Sequence, residues 1–107
     1  MGMAAPVLRL QMSDASLARK IAGIAQDSAR VVLTFHAKKR MRQRRILLSQ
    51  VLHCLRKGRV VEPAHQDIHG CWKCTLEALV SGDRVRVAAA VSQDESGELV
   101  IVVTVMH

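Results

Sequence analysis

Past Gly58, from Val60 onward, the hydrophobic pattern of this chain becomes continuously β, and that change limits the folds open to it. Before it, apolar residues recur at helical spacing: Leu17, Ile21 and Ile24, then Ile46, Leu48, Val51, Leu52 and Leu55. After it come β-rich runs bounded by turn formers. Trp72 to Val80 is followed by Ser81, Gly82 and Asp83, Arg84 to Val91 by Ser92 to Gly97, and Leu99 to Met106 closes the series. Helices followed by closely spaced strands point to an α+β fold, and short turns between strands make the sheet antiparallel. A chain of 107 residues supports one core. The expected architecture is two to three N-terminal helices packed on a four- to five-stranded antiparallel sheet, in the order helix, strand, two helices, antiparallel meander. Residues 1–29 are expected to be an N-terminal arm and helix, and residues 30–107 a single α+β domain.

Local signals place the elements. Ser13 can cap a first helix running to about Asp27, whose narrow, alanine-rich stripe suits either the surface of the core or an interaction arm. Arg30 to Thr34 reads as a short strand, and Thr34 as the N-cap of a helix from Phe35 to Arg44. Arg56 and Lys57 before Gly58 end the next helix. Leu99 to Met106 is apolar at nearly every position, which predicts a central strand covered on both faces. Only Phe35 and Trp72 are aromatic, so Val, Leu, Ile, Ala and Met must fill the core.

The longest apolar runs fall far short of the roughly 20 residues of a membrane-spanning helix, and no membrane partner is expected. Met1 to Met12 lacks the charged lead, apolar stretch and small-residue cleavage site of a secretory signal, so the expected location is cytoplasmic. Cys54, Cys71 and Cys74 are an odd set in such a compartment and are expected to be reduced.

Net charge is +7, and its placement says more than its size. Between Asp27 and Glu62 there is no acidic residue, while Arg30, Lys38, Lys39, Arg40, Arg42, Arg44, Arg45, Arg56, Lys57 and Arg59 all fall there. A solvated charged face normally mixes signs. A one-sign block instead concentrates a polyanion and contacts phosphates with release of counterions, so the expected partner is a polyanion, RNA first, or an acidic protein.

Within the Phe35–Arg44 helix, His36, Arg40 and Arg44 are spaced by four and drift only about 80° in all, forming one stripe. Ala37 and Met41 form the adjacent stripe, assigned to the core. A histidine between arginines suits phosphodiester chemistry, because imidazole moves protons near neutral pH and guanidinium groups stabilise charge developing on phosphoryl oxygens. Phosphate binding without catalysis, or a helix-capping histidine, fits the same residues. Lys38, Lys39, Arg42 and Arg45, and Lys73 on a later strand, are further candidate nucleic-acid contacts.

His36-Ala37-Lys38-Lys39-Arg40-Met41-Arg42-Gln43-Arg44, followed by Ile46, the helix to Leu55, Gly58 and Glu62, resembles the His-Ala-x-x-Arg-Met-x-x-Arg signature of a family of small bacterial proteins similar to RelE-like and BrnT-like toxins. Gly82 to Val91 and Val102 to Val105 resemble that family's last two strands, so the likeness spans roughly Val31 to Met106. It implies the compact RelE/barnase-like toxin fold and a metal-independent endoribonuclease acting on RNA, mRNA above all. It also implies an acidic antitoxin as protein partner and no cofactor. His36, Arg40 and Arg44 are the signature positions, and Thr104 matches the polar position of the closing strand; these four are the catalytic candidates. Arg45 stands where the family often has glycine, and Leu47 where it often has a Ser or Thr cap. The alternatives are a noncatalytic nucleic-acid-binding module and an interaction domain docking its basic helix on an acidic protein.

His65, His69, Cys71 and Cys74 fall within ten residues and are all zinc-ligand types. Cys71 and Cys74 lie three apart in an expected strand and would face opposite sides. Core packing is therefore the expected role of at least one of them, and no metal site is assigned.

Overall fold

A computed structural model describes residues 12–107. Residues 1–11, the first part of the expected N-terminal arm, lie outside the described residues. The first helix, α1, spans Asp14–Ile24. Ser13 caps it, its hydroxyl accepting from the Ser16 amide at 3.1 Å. It stops before the expected Asp27 because Asp27 has another role: its carboxylate accepts from the Ala29 amide at 3.0 Å and caps the single 3-10 turn Ser28–Arg30. Leu17, Ile21 and Ala25 are fully buried in the core. Arg56 donates to the Ala25 carbonyl at 2.8 Å, and Asp14 accepts from the Ala64 amide at 2.7 Å. Of the two roles expected for this helix, packing on the core is the one realised.

Strand β1 is Val31–Leu33, and α2, Phe35–Arg44, begins one residue later. Thr34 makes the junction. Its Oγ1 accepts from the Ala37 amide at 3.0 Å and donates to the Val103 carbonyl at 3.1 Å, so one side chain caps the helix and ties it to the last strand. Helix α2 ends at Arg45 in the left-handed region, φ 55°. The Ile46 amide then reaches back to the Met41 carbonyl at 2.9 Å, a Schellman closure in which Ile46 also becomes buried near Met41.

Helix α3 is Leu48–Lys57 and buries Val51, Cys54 and Leu55. Leu47, at its N-cap, offers no polar side chain, and only Gln50 Oε1, accepting from the Leu47 amide at 2.8 Å, caps this end. Gly58 ends α3 with ordinary φ but by necessity of space: a Cβ there would strike the Cys54 carbonyl and sit 3.0 Å from the Glu77 carbonyl.

Strands β2 (Arg59–Gln66), β3 (Trp72–Val80), β4 (Asp83–Asp94) and β5 (Gly97–Met106) form the expected antiparallel meander. Ser81 and Gly82, at φ 53° and 84°, make the two-residue primed turn that suits the twist of a hairpin. The sheet order is β1-β5-β4-β3-β2. One expectation is corrected here: β1 runs parallel to β5, with Val31 opposite Val100 and Leu33 opposite Val102, so the five-stranded sheet is mixed. Two helices separate β1 from β2, and β1 joins the free side of β5 instead.

A second correction concerns β5. It lies inside the sheet, but only Val100, Val102 and Val105 are buried, whereas Leu99, Ile101, Thr104 and Met106 remain half-exposed. The core is a single cluster in which the helices supply Leu17, Ile21, Ala37, Val51 and Leu55 against one face of the sheet. Ladder positions slip between Ala88/Thr104 and Ala89/Val102, leaving Val103 as a bulge. The bulge keeps Val102 and Val105 on the same buried face and places the Val103 carbonyl where Thr34 meets it. Among the described residues, no helix is long and apolar enough to cross a membrane.

Candidate nucleic-acid interface

Helix α2 packs on β5 and β1 with Ala37 buried and Met41 against the core, so its remaining positions face outward. His36 and Arg44 are exposed, as are Lys38, Lys39, Arg42 and Arg45. Arg40 is half-buried between them, and its Nε is inaccessible and has no hydrogen-bond partner among the described residues. A buried guanidinium nitrogen without an acceptor is costly, and because Nε is closed to solvent an added anion would meet only the outer nitrogens of the Arg40 guanidinium. His36 lies in the first turn, where backbone amides point outward and the helix dipole favours negative charge.

Every acidic side chain found in an ion pair is engaged elsewhere. Lys20 meets Glu98 at 2.8 Å, Arg30 meets Asp94 at 2.9 Å, and Glu77 meets Arg86, Arg59 and Arg84 at 2.7, 3.6 and 3.9 Å. Among the described residues, no cation of α2 has an acidic partner. The helix carries its charge uncompensated.

The other candidate contacts lie on the open face of the sheet, away from the helices. Thr104 stands in a row with Ala88 and Thr75 across β5, β4 and β3, extended by Glu62 on β2. Thr75, almost fully buried, donates from Oγ1 to Glu62 Oε1. Lys73 stands in the next row with Ala90 and Ile101 and borders a depression of about 500 Å³ with Asp67, His69 and Cys71. The structure thus gathers His36, Arg40, Arg44, Lys38, Lys39, Arg42 and Arg45 on one helix and its cap, and places Thr104 and Lys73 on the opposite face of the sheet.

Glu62, Thr75, Glu77 and Arg86 belong to the polar open face and were not among the sequence candidates. The period-two polar set Lys73, Thr75, Glu77 followed by Arg84 and Arg86 was the available signal, but it needs the strand register to become a surface. Glu77, with a side chain only 12% exposed, is held below the usual carboxylate range by its hydrogen bond to Arg86, then by the charges of Arg86 and Arg84 and a bond to Arg59.

The histidines and cysteines do not converge. Among the described residues no three His, Cys, Asp or Glu side chains are placed to hold a metal ion. His65 Nδ1 is 3.0 Å from the Pro63 carbonyl, and Cys74 is buried in the core. Asp67 instead organises the β2–β3 loop, accepting from the His69 and Cys71 amides at 2.8 and 3.0 Å. The Cys71 bond and then the His69 bond hold its carboxyl low. Burial pushes the Cys54 thiol up to about 12 and Cys74 to about 11, so both remain protonated packing groups at neutral pH.

No curated protein and no solved structure matches the chain significantly. Residues 33–107 match the model of a family described as a domain of unknown function, DUF4258. The match starts at the end of β1 and takes in α2, α3 and the whole meander, leaving α1 before it. Covering well over half of the chain, it shows that the protein belongs to the DUF4258 family.

Proposed function

We propose that the protein binds RNA through α2 and cleaves it as a metal-independent endoribonuclease of the RelE-like or BrnT-like toxin kind, held in check by an acidic antitoxin. The observation that carries this reading is the uncompensated charge of α2: seven basic or imidazole side chains between His36 and Arg45, none with an acidic partner among the described residues. Surface cations left unpaired while other arginines converge on Glu77 are free to exchange counterions for phosphates. The His-Ala-x-x-Arg-Met-x-x-Arg pattern at residues 36–44 supports the toxin likeness.

In this reading Arg40 and Arg44 hold the phosphate, and the charge of Arg40 stabilises the phosphoryl oxygens as the reaction proceeds. His36 accepts the proton of the 2′-hydroxyl while that oxygen bonds to phosphorus. The 5′-oxygen leaves and takes a proton from water, yielding a 2′,3′-cyclic phosphate and a 5′-hydroxyl end. No redox partner or metal enters the balance. Thr104 and Lys73 would meet RNA that passes around the edge strand β1 onto the open face.

A second reading, binding without cleavage, is favoured by one observation. His36 is exposed and has no hydrogen-bond partner among the described residues, so no second group orients its imidazole. Incubation of the purified protein with mRNA in EDTA separates the two. Cleavage lost in His36→Ala but retained in Glu95→Ala supports the enzyme; salt-sensitive binding with intact RNA leaves only the binding module.

A further inference from the structure

Helix α2 presents two sets of cations. At about 100° per residue, Arg40 and Arg44 stay within roughly 80° of His36, whereas Lys38 and Arg42 lie about 200° and 240° around the axis. Ala37 and Met41 fall between the sets and face the core. Arg45 follows on the Lys38/Arg42 side as the helix ends. This second flank borders a groove of about 500 Å³ between α2 and the start of α3, with Met41, Leu47 and Leu48 in its walls and Lys38, Arg42 and Arg45 on its rim. Leu47 is 66% exposed and Leu48 47% exposed. Two adjacent leucines in the open, beside three cations with no acidic partner among the described residues, is an unusual surface for a solvated helix corner.

We infer that this groove is the docking site of an acidic protein segment that inserts aliphatic side chains between α2 and α3 and sets its carboxylates on Lys38, Arg42 and Arg45. The charge excludes the occupants that are nearest to hand. A second copy of the chain brings net charge +7, and residues 1–11 contain Arg9 and no acid, so both carry the wrong sign. RNA fits the rim but not the walls, because bases stack on aromatic side chains and none lines the groove. Aliphatic walls with a cationic rim match a peptide with apolar anchors and acidic flanks. The inference builds on the acidic partner proposed above and is independent of cleavage. It assigns that partner to one flank of α2 and leaves His36, Arg40 and Arg44 on the other.

The test is selection from a displayed library of random dodecapeptides on the immobilised full chain, followed by anisotropy titrations with an enriched peptide and with oligouridylate. Enriched peptides combining Asp or Glu with Leu, Ile or Val are expected. Their binding should weaken about tenfold or more in Leu48→Glu and in Arg42→Glu and stay within about twofold in Arg44→Ala. Thermal unfolding establishes that each variant folds. Oligouridylate binding should weaken more in Arg44→Ala than in Leu48→Glu. No enrichment, enrichment without acids, or peptide binding indifferent to both groove variants overturns the inference. So does oligouridylate binding that Leu48→Glu weakens as much as Arg44→Ala does, or a dimer in sedimentation that Leu48→Glu dissolves. Peptide binding as expected with no oligouridylate binding leaves the docking site standing and removes the RNA reading alone.

Discussion

The arginines of the sheet and those of α2 are the same side chain in opposite circumstances. On the open face, Arg59, Arg84 and Arg86 converge on one carboxylate, Glu77, whose own side chain is nearly enclosed. On α2 a denser set of cations meets no carboxylate at all among the described residues. Glu77 is satisfied within the fold by Arg86 at 2.7 Å, with the more exposed Arg59 and Arg84 standing farther off at 3.6 and 3.9 Å. The α2 cations repel one another and lower their energy only when something negative arrives. Charge count alone does not distinguish a structural arginine from one available to a ligand; the distribution of acids does.

The strongest way to break this contrast is to move affinity without moving stability. Arg40→Ala with Arg44→Ala should lower RNA affinity on the order of 10- to 100-fold near 50 mM salt and reduce the salt slope by about 2, while the unfolding midpoint barely changes. Arg84→Ala should leave RNA binding nearly unchanged. Equal losses from the two sites, measured by anisotropy, would erase the distinction.

Glu77→Gln tests the other half. It releases three arginines from their shared acid, so RNA affinity should rise by about two- to fivefold, the added binding being lost at about 200 mM salt. The same substitution should change the response to acid. Glu77 titrates lower in the folded protein than in the unfolded chain, so its stabilisation is fully present above the ordinary carboxylate range, about 4. It is lost as pH falls through the lowered folded value. The urea midpoint of the wild type should therefore fall more steeply below about pH 4 than that of Glu77→Gln. Parallel acid limbs would mean that the carboxylate contributes nothing to the fold.

At the corner between α2 and α3 the expected effect is on stability alone. Arg45 adopts left-handed φ, where glycine is free of strain, and Leu47 caps α3 with no acceptor. Arg45→Gly should stabilise by about 0.5–1 kcal/mol, and Leu47→Ser by roughly 1 kcal/mol, in urea unfolding. A destabilising Arg45→Gly would show that the arginine side chain holds the corner in a way its backbone strain does not reveal.

Much of this corner was legible in the sequence. The family likeness placed glycine at position 45 and a Ser or Thr cap at 47, and the structure finds a left-handed residue at the first and, at the second, a leucine whose side chain supplies no cap. Thr34 as a cap, Gly58 as a stop, the Ser81–Gly82 turn and the His36/Arg40/Arg44 spacing were readable because each depends on residues within a few positions of one another. Asp27 misled, since its side chain could extend α1 or cap the turn after it, and the local pattern did not separate the two.

The sequence by itself determined the order of the elements, the meander after Gly58 and the acid-free block of charge, because periodicity, capping and turn chemistry act over short separations. Only the tertiary structure decided that β1 pairs in parallel with β5, far along the chain, and that β5 is covered on one face. It alone closed Arg59, Arg84 and Arg86 on Glu77, and split the cations of α2 into two flanks around a core stripe. Those outcomes depend on which surfaces meet after the chain has folded back on itself, and pairing energies between distant residues leave no local pattern to read.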